Sequence, residues 1–392
     1  MKICLINNLY KPFNRGGAEK VTETIANGLI KSGHEVFVIS SRPRRGKSQI
    51  SNVQPAGGMQ IYYLDSLYYN LNKLPKFLRF FWQVWNIFNF VNYFKIKKIL
   101  IKEKAEAVIS NNLMGLGFLT PLAIRRLKIK HLHIAHDIQL IHPVGLLRFG
   151  RENLINSFFA RNYAGLTSEI FSSPKAVIFP SRWLMNLYLD KIFFIKSKRI
   201  VLPNPLVKAL TAPATRNNNV FTFLYLGQVE EYKGVNLLIQ AFKKVKEKYD
   251  RAELVIAGTG ANLENLKNIA GEDKSVKFLG WPGDEIADKL LLSSDCLIYP
   301  SLVYENCPHA IQKAFGAGLP VIAADLGGIS ELVSEDGGIL FRPGNPVDLV
   351  EKMLWAIDHK SELAEIAKAG LVKAASYNVE NYIKELQSLI NQ

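Results

Sequence analysis

The sequence predicts an α/β protein built from two doubly wound, Rossmann-like domains facing a central cleft. Three observations predict it. Short apolar runs bounded by turn residues alternate with helix-period segments through both halves. A polar, turn-prone stretch separates the halves. The chain has 392 residues, 48% of them apolar, enough for two cores of ordinary size.

The first apolar run, residues 3–6, reads as a buried strand. A loop with Gly16 and Gly17 follows, helical spacing runs over 18–30 and stops at Gly33, and residues 36–39 read as the next strand. A strand–helix–strand opening implies parallel pairing, because parallel neighbours need a crossover. Further strands are expected at 61–64, 107–109, 131–135, 176–179 and 200–202, which makes 1–206 the N-terminal domain. After Pro203 come Asn204, Pro205 and the stretch TAPATRNNN at 211–219, the expected linker. Alternation then resumes over 207–376, with strands at 222–226, 253–257, 276–279, 296–299 and 321–323. No repeat of 20–50 residues is present.

Charge is divided unevenly along the chain. The formal total is +15, but residues 1–206 carry 30 Lys/Arg against 10 Asp/Glu while residues 207–392 carry 19 against 24. An anionic partner of one half is therefore expected: a headgroup surface, a pyrophosphate-bearing acceptor or nucleic acid. No nucleic-acid module is recognisable, so nucleic acid is not expected. Cys4, Cys296 and Cys307 are odd in number and widely spaced, which excludes a disulfide framework and fits a reducing cytoplasm. The opening MKICLINNLYKP lacks a signal-peptide core, and no uninterrupted apolar run reaches the roughly 18 residues of a spanning helix.

Residues 77–94 contain nine aromatics in 18 positions, interrupted by Arg79, Gln83, Asn86, Asn89 and Asn92 at helical spacing. The result is a polar stripe on a broadly apolar helix, followed by Lys95, Lys97, Lys98, Lys102 and Lys104. Two expectations stand side by side: an interfacial helix on an anionic membrane, or a helix packed in the first domain's core.

The most informative segment is YPSLVYENCPHAIQKAFGAGLPVIAADLGGISELV, residues 299–333. The strand at 296–299 stops at Pro300, so Glu305 and Asn306 fall on the loop leaving its carboxyl end, and the next helix is expected to begin near Pro308. Open α/β sheets bind ligands at that edge, where free amides of a helix N-terminus attract phosphate. A carboxylate beside such donors recognises a polyol, and the two together point to a nucleotide sugar. Gly227 lets backbone approach a ligand, and Lys233 can reach over the strand end as a point charge for phosphate. Gly258-Thr259-Gly260 lacks the third glycine of a dinucleotide loop and reads as a tight turn.

His131, His133, His136 and Asp137 cluster around one strand without a distinctive metal motif. His136, at the strand end and aimed into the expected cleft, is the functional candidate. No Asp-x-Asp occurs, so no metal site is expected and leaving-group charge falls to lysine and backbone dipoles.

With these residues in place the whole chain resembles a retaining glycosyltransferase of the GT-B fold, glycosyltransferase family 4. The resemblance rests on Gly16-Gly17-Ala18-Glu19, His136-Asp137, Pro203-Asn204-Pro205, Gly227 to Gly234, and Glu305 through Gly328, in that order. It implies that Glu305 contacts donor-sugar hydroxyls and that the backbone after it, through Asn306, Cys307, His309 and Ala310, cradles donor oxygens. It also implies that Lys233 binds the diphosphate, that Gly16 and Gly17 approach it from the other domain, and that His136 touches the donor sugar. A first-domain acceptor site and a last helix over 377–390 crossing back, hence a third segment 377–392, are implied too.

Two positions depart from the family pattern. Lys313, within Gln312-Lys313-Ala314-Phe315, stands eight residues after Glu305 where the family has a second glutamate, and an ammonium cannot accept hydrogen bonds from a ribose. Gln228 stands where the family has an arginine. Both are placed at the donor site. The function implied is transfer of a sugar, with retention, from a nucleoside diphosphate sugar to a lipid-linked or saccharide acceptor in cell-surface polysaccharide or glycolipid synthesis. The enzyme is expected to be cytoplasmic, peripheral at the inner membrane face, and independent of metal and of any cofactor beyond its donor. Lys313 and Gln228 keep an alternative open: a catalytically impaired GT-B subunit that binds a saccharide, a membrane or an active partner. An epimerase would need cleft carboxylates for acid/base work, and a phosphorylase a pyridoxal lysine environment that cannot be identified.

Overall fold

Why the strands lie where they do follows from burial on both faces, which turns a parallel strand into a continuous apolar run. The computed structural model describes residues 1–13, 16–43, 59–73, 75–206, 210, 219–334 and 337–392. Of the expected linker, 211–218 lies outside the described residues. The chain divides into two units, Met1–Leu146 with Asn153–Pro205 and Val379–Gln392, and Leu147–Glu152 with Leu206–Asn378.

The first unit holds β1 (Lys2–Ile6), β2 (Glu35–Pro43), β3 (Gln60–Ser66), β4 (Ala107–Ser110), β5 (Lys130–Ile134), β6 (Ala176–Phe179) and β7 (Lys198–Val201). They pair in parallel in the order β3-β2-β1-β4-β5-β6-β7. The second unit holds β8 (Phe221–Leu226), β9 (Ala252–Ala257), β10 (Val276–Gly280), β11 (Cys296–Tyr299), β12 (Val321–Ala324) and β13 (Ile339–Phe341). Their order is β10-β9-β8-β11-β12-β13, again parallel. Each order reverses once, between β1 and β4 and between β8 and β11. Loops leaving those neighbours diverge and open a crevice at the strands' carboxyl ends.

Twelve of the thirteen strands coincide with apolar runs read from the sequence. β13, only three residues long, is too short to show a pattern. β2 runs past Ile39 because Ser40 and Ser41 are themselves fully buried, and the Ser41 hydroxyl donates to the Asn8 carbonyl. The last helix, Val379–Asn391, packs within the first unit so tightly that a Cβ on Gly28 would lie 2.6 Å from Ile383. Set beside the sequence boundaries of 1–206, 207–376 and 377–392, the second unit also takes in Leu147–Glu152, Leu206, Tyr377 and Asn378.

The aromatic segment forms two helices, Lys76–Ile87 and Phe90–Lys102, with the Asn89 side chain capping the second through the Asn92 amide at 3.0 Å. Its polar stripe faces the protein. Asn86, Asn89 and Asn92 are buried, and the Asn86 carboxamide accepts from the Gly115 amide at 2.7 Å while its carbonyl accepts from Phe118 at 3.1 Å. Carboxamides satisfy loop backbone that an aromatic could not, which leaves much of the apolar side outward.

Candidate active site

In the second unit, β8 leads into the turn Glu231–Lys233, and β11 leads into the loop carrying Glu305. The two loops touch at Gly234, whose φ is +72°; a Cβ there would stand 2.0 Å from the Pro300 carbonyl oxygen. Only glycine serves both the left-handed backbone and the close approach. Beside it the Leu302 amide donates to the Tyr232 carbonyl at 2.9 Å.

This closure brings Lys233 Nζ to 3.0 Å from Glu305 Oε1, with the two side chains only 16% and 19% exposed. Glu305 also accepts from Ser301 Oγ at 2.8 Å and from the Tyr299 hydroxyl at 2.8 and 3.0 Å. Burial, and then the Glu305 charge, hold the Tyr299 phenol well above its ordinary pKa, so it remains a donor. The loop backbone is fixed from the far side as well. Gly328 N donates to the Glu305 carbonyl at 2.7 Å, and a Cβ on Gly328 would lie 1.9 Å from Asn306 O. The result is a carboxylate of set position with a cation resting on it.

Past Asn306 and the buried Cys307, His309 and Ala310 open the helix His309–Gly316, which Pro308 caps without a side-chain acceptor. Its amides form the positive end of a helix beside the carboxylate. Pro308 therefore precedes the first turn and is not part of it. Lys313 turns to another helix, Asp284–Ser293, with Nζ 3.1 Å from Asp288 and 3.7 Å from Asp284. Gln228 is held through its carbonyl, which accepts from the Tyr225 hydroxyl at 2.6 Å. Gly258 and Gly260 pack against the Gly227 and Val229 carbonyl oxygens, 1.8 and 2.2 Å from where their Cβ atoms would be, a backbone packing role.

In the first unit Gly17 begins the helix Gly17–Lys31, and the Gly16 amide donates to Glu19 at 2.7 Å. His136, after β5, donates Nε2–H to Asn111 Oδ1, after β4, at 2.9 Å. Burial lowers its pKa to about 4, so the ring is neutral at physiological pH and acts by hydrogen bonding. Burial raises the neighbouring Asp137 carboxyl to about 7 against the Gln139 amide that stabilises its charge. His131 and His133 lie inside the sheet and share the Ser110 hydroxyl at 2.7 and 2.9 Å. Among the described residues no group of His, Cys, Asp and Glu is arranged to hold a metal.

The structure thus joins Lys233 to Glu305, sets Asn306, Cys307, His309 and Ala310 immediately beyond, and turns Lys313 aside. Gly16, Gly17 and His136 belong to the first unit. Tyr299 and Ser301, which hold Glu305, were missed in the sequence because Tyr299 reads as one more apolar strand residue. The spacing of Ser301 four residues before Glu305 was the available signal.

Two parallel-sheet α/β domains, each with polar loops at its switch point, match the GT-B fold. Residues 15–207 match the family described as Glycosyltransferase Family 4, and residues 208–372 match Glycosyl transferases group 1. The chain belongs to glycosyltransferase family 4. It is 25% identical over 342 residues to an uncharacterized 42.6 kDa protein in the cps region of Klebsiella pneumoniae, covering 85% of this chain and 87% of that one. It is 29% identical over 178 residues to a phosphatidyl-myo-inositol mannosyltransferase of Propionibacterium freudenreichii, 44% of each. Among solved structures, Anabaena HepE in complex with UDP-glucose shares the fold with a TM-score of 0.72 and 17% identity, covering 99% of both chains.

Proposed function

We propose that this glycosyltransferase moves a sugar, with retention, from a nucleoside diphosphate sugar to a lipid-linked or saccharide acceptor in cell-surface polysaccharide or glycolipid synthesis. The observation that carries the proposal is the Lys233–Glu305 pair held by Tyr299 and Ser301. An arriving diphosphate competes with Glu305 for the Lys233 ammonium. Once Lys233 turns to phosphate, Glu305 is left in place to accept hydrogen bonds from sugar hydroxyls. The bond from the anomeric carbon to the diphosphate oxygen breaks, the acceptor oxygen bonds that carbon on the same face, and the acceptor proton passes to the departing phosphate oxygen. Lys233 and the amides at His309 and Ala310 stabilise the leaving charge, which removes the need for a metal. Gly16, Gly17 and His136 keep the donor-binding roles that the family resemblance implies, and Gln228 and Lys313 are assigned to the edge of the nucleotide site.

Relatives support the substrate classes. UDP-glucose stands in the HepE structure, phosphatidyl-myo-inositol in the name of one relative, and the cps region in that of another. The membrane face is assigned to the helices Lys76–Ile87 and Phe90–Lys102. Phe81, Trp85, Phe90 and Phe94 are 65, 52, 60 and 64% exposed, and Val91 and Ile101 share their side of the second helix with exposed Lys95, Lys98 and Lys102. Such a face fits the anionic headgroup region of the inner leaflet. Among the described residues no helix is long and apolar enough to cross a membrane.

The test is release of nucleoside diphosphate from UDP-, GDP- and ADP-sugars by the purified chain with a membrane lipid extract, with the anomeric configuration of the product read by NMR. Turnover of one donor with retention, abolished in Lys233→Ala, supports the proposal. A full-rate Lys233→Ala enzyme removes the mechanism, and no turnover of any donor favours the impaired subunit that Gln228 and Lys313 suggest.

A further inference from the structure

We infer that Arg148 supplies the second cation of the diphosphate site, the charge that Gln228 leaves out; this rests on the donor assignment above. Arg148 lies on Leu147–Glu152, the one stretch of the first half that belongs to the second unit. The stretch is strapped antiparallel along the residues that lead into Glu305. Tyr304 N donates to Leu147 O and Phe149 N to Leu302 O, each at 2.9 Å, and Arg148 bridges Val303. The Tyr304 hydroxyl closes the far end by donating to Glu152 at 2.9 Å.

From this fixed backbone the Arg148 guanidinium reaches the Tyr232 ring, 5.3 Å from its centroid, and Lys233 Nζ stands 5.9 Å from the same centroid. Two cations thus share one aromatic ring beside Glu305. Their anionic partners differ. Lys233 rests on Glu305, whereas among the described residues Arg148 forms no ion pair, unlike Arg42 with Asp65 and Arg342 with Asp348. The Arg148 side chain is exposed.

Charge favours the second cation. Lys233 and Glu305 cancel, and the charge of Glu230 acts on Tyr232 in the sense that Arg148 opposes, so Arg148 offsets a further negative charge near the pair. A guanidinium offers a planar pair of donors to one phosphate while the ammonium takes the other as a point charge. The strap holds the arginine's backbone in place before ligand arrives.

The experiment is calorimetric titration of UDP, GDP and ADP into the full chain and into Arg148→Gln, Arg148→Lys, Lys233→Ala and the double variant Arg148→Gln/Gln228→Arg, with thermal midpoints recorded for each. Arg148→Gln is expected to weaken the nucleotide that binds wild type by about 10- to 100-fold, as for loss of a charged hydrogen-bond donor, at an unchanged midpoint. Arg148→Lys is expected to retain part of the affinity, and Gln228→Arg to restore most of it in the double variant. Wild-type affinity in Arg148→Gln with loss in Lys233→Ala overturns the inference and leaves the donor assignment standing. Wild-type affinity in both variants overturns the donor assignment itself. Weakening in Arg148→Gln that Gln228→Arg does not restore assigns the effect to the strap and overturns the role as a cation.

Discussion

The carboxyl edges of the two sheets share a topology and differ in chemistry. At the β8/β11 switch point of the second unit the side chains are ionic: Lys233 on Glu305, with Arg148 beside them. At the β1/β4 switch point of the first unit they are neutral hydrogen-bonding groups. Asn7, Asn8, Ser110 and Asn111 are buried there, Asn8 N donates to Asn112 O at 2.8 Å, and His136 is kept uncharged. An ionic edge suits a diphosphate and a neutral one suits hydroxyls. The sequence half with formal charge +20 therefore owns the neutral edge and lends only Arg148 to the ionic one, whose Lys233 comes from the half with −5. Gross charge reports the outer surface here, the exposed Lys95, Lys98 and Lys102 among it, more than the site.

Lys233 carries the largest expected effect at the ionic edge. Lys233→Ala is expected to lower kcat/KM about 100- to 1,000-fold, the scale for losing one preorganised stabiliser of leaving charge, measured with the donor that wild type turns over. A loss no larger than that of an exposed lysine such as Lys289 would put the chemistry elsewhere. Tyr299→Phe keeps the buried ring and removes a donor to Glu305. A drop of about 10-fold in kcat/KM is expected, with affinity for free nucleoside diphosphate unchanged. Equal losses for sugar nucleotide and free diphosphate would contradict the role given to Glu305.

The neutral edge is tested by pH. His131, at about 3, and His136, at about 4, have folded pKa values below the unfolded value near 6.5. Between those values the unfolded chain binds more protons, so stability is lost as pH falls from about 6.5 toward 4. Asp137 runs the other way, because a folded pKa of about 7 against an unfolded value near 4 makes its contribution fade as pH rises through 7. His136→Gln should flatten the acid limb of the thermal midpoint, and Asp137→Asn the limb between pH 4 and 7. Unaltered profiles would mean these groups titrate normally. The smallest effect expected on soluble chemistry is that of Trp85→Glu with Phe94→Glu: binding to phosphatidylglycerol vesicles falls, while donor affinity holds.

Much of the fold was legible because parallel strands buried on both faces write themselves as apolar runs. Legibility stopped where polar atoms were buried with partners the sequence does not name. Ser40 and Ser41 hid the end of β2, and the polar stripe of Asn86, Asn89 and Asn92 did not say which way it faced, because its loop partners lie further along the chain. Lys233 and Glu305 were legible as strand-end residues. Tyr299 was not, since its hydroxyl matters only through a carboxylate folded back onto it. The Arg148 strap carries no local signal at all, being a pairing of distant segments set by backbone hydrogen bonds.

In the proposed donor site, diphosphate takes Lys233 and sugar takes Glu305. The most direct test of this division is calorimetric titration of a free nucleoside diphosphate and its sugar conjugate into wild type, Lys233→Ala and Glu305→Gln. Lys233→Ala is expected to lose affinity for both ligands, and Glu305→Gln to keep the diphosphate but no longer gain from the sugar. Wild-type affinities in both variants would contradict it.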